Sequence, residues 1–142
     1  MKQLGAQHVI NYRETPEWGE VVKSLTTNGK GVDIVVDVGG ASTLQQSLKA
    51  VRVDGMIAVA GLLGDAPDGR VPTLLDTIFY CCNARGLLLG SRKQFKDMNA
   101  FIEKHGIRPV VDDTVFDLAS VKEAYAYLEG QKHFSKVGIR ME

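Results

Sequence analysis

Val32-Asp33-Ile34-Val35-Val36-Asp37-Val38-Gly39-Gly40 reads as an apolar strand running into a glycine pair. Its apolar residues are nearly unbroken from Ile34 to Val36, the pattern of a strand covered on both faces. Ser42 then opens an amphipathic helix. Ser42-Thr43-Leu44-Gln45 fits a capping box, and Leu44, Leu48 and Val51 follow at helical spacing. Asp54-Gly55 ends that helix, and a second apolar strand, Met56 to Ala60, runs into Gly61-Leu62-Leu63-Gly64. Strand, glycine turn, helix, strand, glycine turn is the rhythm of a parallel α/β sheet.

The same punctuation continues outward. His8 to Tyr12 reads as a short strand. Thr15-Pro16-Glu17 is a helix start, with a hydroxyl N-cap, proline at the first position and an acid in the first turn. Trp18, Val21, Val22 and Leu25 form its apolar face, and Asn28-Gly29 stops it. Asp65 to Val71 is a loop. A helix from about Thr73 to Asn83 is expected to bury Leu74, Leu75, Ile78, Phe79 and Cys82, and Leu87-Leu88-Leu89 is a buried strand closed by Gly90. Ser91 caps a further helix with Phe95, Met98, Phe101 and Ile102 inward, ended by His105-Gly106. Beyond Pro109 the pattern changes. Val110 to Phe116 is extended, Ser120-Val121-Lys122-Glu123 is a second capping-box match, and Lys136 to Arg140 closes as a strand.

The chain has 142 residues, enough for one domain with a core. Seventeen basic and seventeen acidic residues cancel, which argues against nonspecific nucleic-acid binding and a polybasic membrane surface. No apolar run approaches the ~20 residues of a membrane helix, and the N-terminus lacks an apolar signal core. Cys81 and Cys82 are adjacent, a poor geometry for a relaxed disulfide, and read as buried thiols of a reducing, cytoplasmic compartment. His8, His105 and His133 are scattered, none at ligand spacing from a Cys or Glu, so no metal site is expected. No Ser-His-Asp or Cys-His arrangement is readable, and no catalytic residue is assigned. Asp33 and Asp37 flank the central strand on one face. Asp37 is a candidate for a ribose hydroxyl, against a loop-edge or salt-bridged carboxylate.

Ligands on parallel sheets sit at the carboxyl ends of the strands, where the glycine turns lie. Yet no G-x-G-x-x-G phosphate loop occurs in the sequence. In order and spacing, Leu4-Gly5-Ala6, Val9-Ile10-Asn11-Tyr12, Gly31-Val32-Asp33 through Gly40, Leu48-Lys49-Ala50-Val51, Val59-Ala60-Gly61, Gly90-Ser91-Arg92, Arg108-Pro109-Val110-Val111 and Phe134-Ser135-Lys136-Val137 form one set. With them the chain resembles the C-terminal part of medium-chain, zinc-type alcohol dehydrogenases and their quinone oxidoreductase relatives. The resemblance covers essentially the whole chain. It implies an α/β fold: a partial Rossmann domain, a doubly wound parallel sheet lacking its first two strands, over residues 1–109. Residues 110–142 would be an α/β return segment that packs on a catalytic domain.

The resemblance also implies a ligand, NADP or NAD, and a small alcohol or carbonyl substrate for the parent enzyme. Relatives place the nicotinamide ribose at the turn Val38-Gly39-Gly40, the nicotinamide along Gly61-Leu62-Leu63, and a third turn at Gly90-Ser91-Arg92. Arg92 would donate to a phosphate or carboxamide, or be a surface arginine. Tyr12 stands where relatives set a tyrosine against the adenosine end, and Lys136 where they carry a lysine near the cofactor. Zinc, if used at all, would be held by the absent N-terminal domain.

In the sheet order 3-2-1-4-5-6 the third and fourth strands are not neighbours, so the Val9–Tyr12 strand has no partner here. Unsatisfied backbone groups then predict a marginal fold or association through exposed edges, leaving room for a homo-oligomer. Three functions follow: an NAD(P)-dependent oxidoreductase whose nicotinamide side this chain supplies, inactive alone; a noncatalytic self-association module; and an S-adenosylmethionine methyltransferase suggested by Asp37-Val38-Gly39-Gly40. The last wants an acid ending the next strand, where Val59-Ala60-Gly61 stands.

Overall fold

A computed structural model describes every residue except Leu63, Pro67, Asp68 and Glu142. The chain divides into two compact units, Met1–Leu89 and Gly90–Glu142. The architecture is α/β with parallel strands throughout.

The first unit is built on a three-stranded parallel sheet in the order β1 (Val32–Asp37), β2 (Val51–Val59), β3 (Asn83–Gly86). α1 (Trp18–Ser24) precedes it, α2 (Leu44–Ala50) joins β1 to β2, and α3 (Asp76–Tyr80) joins β2 to β3. Ile34, Val35 and Val36 of β1 stand opposite Met56, Ile57 and Ala58 of β2, which in turn face Asn83, Ala84 and Arg85. The core is Leu48, Val51 and Ile57, the last fully buried at 0 % exposure, with Val35, Leu44, Val59, Tyr80 and Cys82 packed against it. α1 docks on α2 through Gly19. An added Cβ there would strike the Gln46 carbonyl and the Lys49 side chain, and the Gly19 amide donates to Gln46 Oε1 at 2.9 Å. Lys49 pairs with Glu17 beside this contact.

Several expectations are corrected. His8 to Tyr12 is not a strand: a strand is a hydrogen-bond ladder, and no described segment lies alongside to complete one. α1 begins at Trp18 rather than at Thr15-Pro16, because the Thr15 amide is spent on the Asn11 carbonyl in a preceding turn. The helix after β1 stops at Ala50. Val51 has left the helix and pairs with Val32, and Asp54-Gly55, expected to end the helix, lies instead inside a long irregular β2, with Asp54 at φ 58. The helix expected over Thr73–Asn83 shrinks to five residues, ended by Cys81 in the left-handed conformation. Its buried member is Asp76, whose carboxylate accepts from the Thr73 amide and hydroxyl. Leu74, Leu75, Ile78 and Phe79 therefore point outward, Phe79 at 82 % exposure. Strand Leu87–Leu89 is replaced by Asn83–Gly86. The Leu87 amide makes the last bond, to Val59, and β2 then ends, leaving Leu88 and Leu89 unpaired and exposed. Burial of β1 on both faces fails too, since Ile34 and Val36 are exposed while Val35 packs inward. The buried-thiol reading fails for Cys81, which is exposed; both thiols are free.

The second unit holds α4 (Arg92–Lys104), β4 (Val111–Asp117), α5 (Val121–Glu129) and β5 (Lys136–Arg140). β4 and β5 pair in parallel across the α5 crossover. Ala124 is the buried contact of α5, and Phe116 and Tyr127 stack at 5.6 Å. The expected capping box of α5 does not form: the Ser120 amide, which the box would direct to Glu123, donates to Asp117 Oδ1 at 2.7 Å, as does the Ser120 hydroxyl at 2.6 Å. Phe95, Met98 and Phe101 of α4 are exposed rather than inward.

Candidate functional site

Where β1 and β2 end, their two turns interlock. The Asp37 carbonyl accepts from the amides of Ala60 and Gly61 at 2.8 and 3.0 Å, carrying the sheet one step past β2. Gly40 and Gly64 then form an isolated parallel bridge. The fit leaves no room for side chains. A Cβ on Gly61 would lie within 2.6 Å of the Val38 carbonyl oxygen and closer still to the Gly40 amide. A Cβ on Gly40 would meet the Gly61 carbonyl oxygen at 2.8 Å, and Gly40 itself has φ 68, a conformation that suits glycine. Gly64 is equally tight against Ser42, with its Cβ position 2.8 Å from the Ser42 Cβ.

The helix that follows starts without a conventional cap. Thr43 occupies the N-cap position and no side-chain cap forms, so the capping box read at Ser42 is not made. The hydroxyls are used inside the turn. Ser42 Oγ donates to the Gly39 carbonyl at 3.0 Å, and Thr43 Oγ1 donates to Asp37 Oδ1 at 2.9 Å. The Asp37 carboxylate, in a residue only 3 % exposed, also accepts from the Gly40 amide at 2.8 Å and from Ser47 Oγ at 2.6 Å. Asp33, the other acid of the strand, is exposed and pairs with Arg52. These hydroxyl contacts of Asp37 carried no readable signal beyond the spacing of Asp37, Thr43 and Ser47.

The structure thus brings Val38, Gly39, Gly40, Gly61 and Leu62 together. Val38 and Leu62 are exposed, at 77 % and 74 %, on either side of this glycine contact. Leu63 lies outside the described residues. Tyr12 is placed elsewhere in the same unit. It lines a groove of about 790 Å³ with Ile10, Trp18, Lys30, Val32 and Thr43, the last shared with the turn. In the second unit, Ser91 caps α4 with a full capping box: its hydroxyl accepts from the Gln94 amide at 3.2 Å, and its own amide donates to Gln94 Oε1 at 2.7 Å. Gly90 and Arg92 flank it, exposed, and Lys136 is the exposed first residue of β5.

Titratable groups of the second unit are tuned locally. The Phe134 amide, then the Thr114 amide, hold the Asp112 carboxyl below its ordinary range, assisted by the Tyr127 hydroxyl. His133 Nδ1 is buried without a hydrogen-bond partner. Among the described residues no three His, Cys, Asp or Glu side chains are grouped to hold a metal, and no helix is long and apolar enough to cross a membrane.

Comparison with known proteins gives these parts a setting. The model of the zinc-binding dehydrogenase family matches residues 1–104. A zinc-type alcohol dehydrogenase-like protein of Schizosaccharomyces pombe is 41% identical over 145 residues, spanning 99% of this chain and 41% of its own. The crystal structure of an NAD-dependent alcohol dehydrogenase superposes with a TM-score of 0.80 at 31% identity, over 99% of this chain and 40% of that one. A mycobacterial protein solved in complex with NADPH superposes with a TM-score of 0.68 at 25% identity, over 99% and 45%. The chain spans about two fifths of the length of these relatives, and its parallel sheet corresponds to their C-terminal, Rossmann-like part.

Proposed function

Because this chain belongs to the zinc-binding dehydrogenase family, we propose that its first unit supplies the nicotinamide side of an NAD(P) site in an alcohol dehydrogenase or quinone reductase-like enzyme. The interlocked turns carry this reading. Two neighbouring parallel strands end together, as ligand sites on such sheets require. Their glycines let the two turns pack backbone to backbone, and Val38 and Leu62 offer apolar surface to an aromatic ring. Tyr12, on the separate groove, would face the adenosine end. For Leu63, Gly90, Ser91, Arg92 and Lys136 the assignment rests on family resemblance alone, as does the division into a cofactor part, 1–109, and a return segment, 110–142.

When bound, the cofactor supplies or accepts the hydride exchanged with a small alcohol or carbonyl carbon. The chain's own share is to present the turn and exclude water from one side of it. Among the described residues no three His, Cys, Asp or Glu side chains assemble a zinc site. The cofactor of this reading is NADP or NAD. Two free thiols suit a reducing cytoplasm. Without a phosphate loop, binding should be weak and turnover absent.

Titration of NADPH and of NADH into the chain, followed by amide NMR, tests this. Shifts should concentrate at Gly39, Gly40, Gly61 and Leu62. Shifts scattered elsewhere, or none at saturating cofactor, would remove the assignment, and NADPH-dependent reduction by the chain would contradict its inactivity. A second reading, self-association, is favoured by the unpaired outer edges of β1 and β3 and by exposed Phe79 and Leu89, the latter at 90 %. Sedimentation as a monomer at high concentration would exclude it.

A further inference from the structure

We propose that Asp37 is the positioning residue of this site: its buried carboxylate clamps the β1 turn in shape and is not itself a cofactor ligand. The inference rests on the reading above for what the turn binds, and on the structure for how the turn is held.

Both carboxylate oxygens are committed. Oδ1 accepts from the Gly40 amide and from Thr43 Oγ1, and Oδ2 accepts from Ser47 Oγ and, at 3.0 Å, from Thr43 Oγ1 again. These donors come from the turn, from its junction with α2, and from the second turn of that helix. One carboxylate therefore fixes the turn to the helix that backs it. Its main-chain carbonyl meanwhile holds the Ala60 and Gly61 amides of the neighbouring turn. At 3 % exposure, with its acceptors occupied by internal donors, the side chain has no approach left for a ribose diol. The ribose role weighed for Asp37 from the sequence is thus replaced by an internal one. Hydrogen bonds to a charged acceptor are stronger than neutral ones, which suits a clamp that must hold a left-handed glycine in place.

The test uses the 142-residue chain and reads the Gly40 amide by hydrogen exchange, with the Ile57 amide in central β2 as the internal reference. In Asp37→Ala the Gly40 amide loses its acceptor and should exchange at least about 10-fold faster relative to Ile57. Asp37→Asn keeps one carbonyl oxygen for the Gly40 amide and should restore most of that protection. Thr43→Val and Ser47→Ala each remove one donor while keeping the charge, and should give smaller accelerations confined to the turn. They keep the question answerable if the alanine variant does not fold.

NADPH titration of the same proteins separates the two ideas. Asparagine retaining both Gly40 protection and cofactor affinity supports the clamp. Asparagine losing affinity while Gly40 stays protected makes Asp37 a ligand and overturns it. Equal acceleration of Gly40 and Ile57 in every variant also overturns it, leaving a general stability role. If the wild-type chain shows no NADPH response but Gly40 behaves as described, the cofactor reading fails and the clamp stands.

Discussion

Gly61→Ala is the sharpest test of the interlocked turns. The φ of Gly61 lies outside the left-handed region, so alanine meets no backbone penalty there and the cost is purely one of space. The new methyl would press on the Gly40 amide and on the Val38 carbonyl carbon and oxygen, the last two at 2.5 and 2.6 Å. All three are main-chain atoms, the Gly40 amide held by Asp37 Oδ1, and none can swing aside as a side chain would. Overpacking of a fitted site costs about 1–3 kcal/mol, and immovable neighbours place this case near ~3 kcal/mol. For a chain of this size, about 4 °C of melting temperature accompanies each kcal/mol, so the transition should fall by roughly 12 °C. Trp18 is the single tryptophan and sits in the same unit, so its fluorescence follows the relevant transition. The control is Gly86→Ala at the end of β3, where an added Cβ meets nothing within 4 Å. It should leave stability unchanged or raise it by about 0.4–1 kcal/mol, through the lost freedom of the unfolded chain. If the two variants melt within about 2 °C of each other, the turns are not in contact and the site as described does not exist.

Ser91→Ala removes the hydroxyl half of the α4 capping box, leaving the main-chain amide of residue 91 free to donate to Gln94, and should cost that helix about 1 kcal/mol, read as faster exchange of its first-turn amides with the first unit unchanged. Asp112 gives the second unit an acid limit. Its carboxyl is held below the ordinary value in the folded state, so the unfolded chain binds the proton more readily. The resulting stabilisation is full above the unfolded carboxylate value of about 3.9 and is lost as pH falls through the lower folded value. Exchange of the β4 and β5 amides should therefore accelerate below about pH 4, and Asp112→Asn should flatten that dependence. A thiol-labelling reagent should modify exposed Cys81 first. Cys82, whose thiol is pushed up by burial and then by its neighbour, should react in a second, slower phase that merges with the first in denaturant.

What was legible in the sequence has its partner close by in the chain. β1, the cap at Ser91 and β5 all follow from residues a few positions apart, and they stand where read, within a residue or two. The glycine pair after β1 was visible as an anomaly in an apolar run, and its neighbour after β2 likewise. Their mutual contact was not, because it depends on the β1–β2 register, set by pairing Val35 with Ile57. The capping boxes at Ser42 and Ser120 misled for a shared reason. In each case a nearby upstream acceptor engages the serine: the Gly39 carbonyl accepts from the Ser42 hydroxyl, and Asp117 accepts from both the hydroxyl and the amide of Ser120, so the local motif loses to a competitor that spacing alone does not rank.

The failures on burial have a different cause. Hydrophobic periodicity says which side chains want cover and nothing about whether a described neighbour provides it. Ile34 and Val36 alternate with Val35 as a parallel strand should, and α2 packs behind Val35, yet their own face carries no helix among the described residues. The outer edge of β1 is likewise open, and the Gln7–Tyr12 segment lies across a groove from it instead of joining the sheet. Both follow from one property of doubly wound sheets: strands adjacent in space need not be adjacent in sequence, and the crossover helices of the two halves cover opposite faces. A stretch holding one half keeps its own helices and its own turns, and leaves one edge and one face unpaired. The relatives, more than twice as long, match this chain over about two fifths of their length. On that footing the exposed apolar residues follow from the fold itself, and the Asp37 turn stays formed because every donor that holds it lies between Asp37 and Ser47.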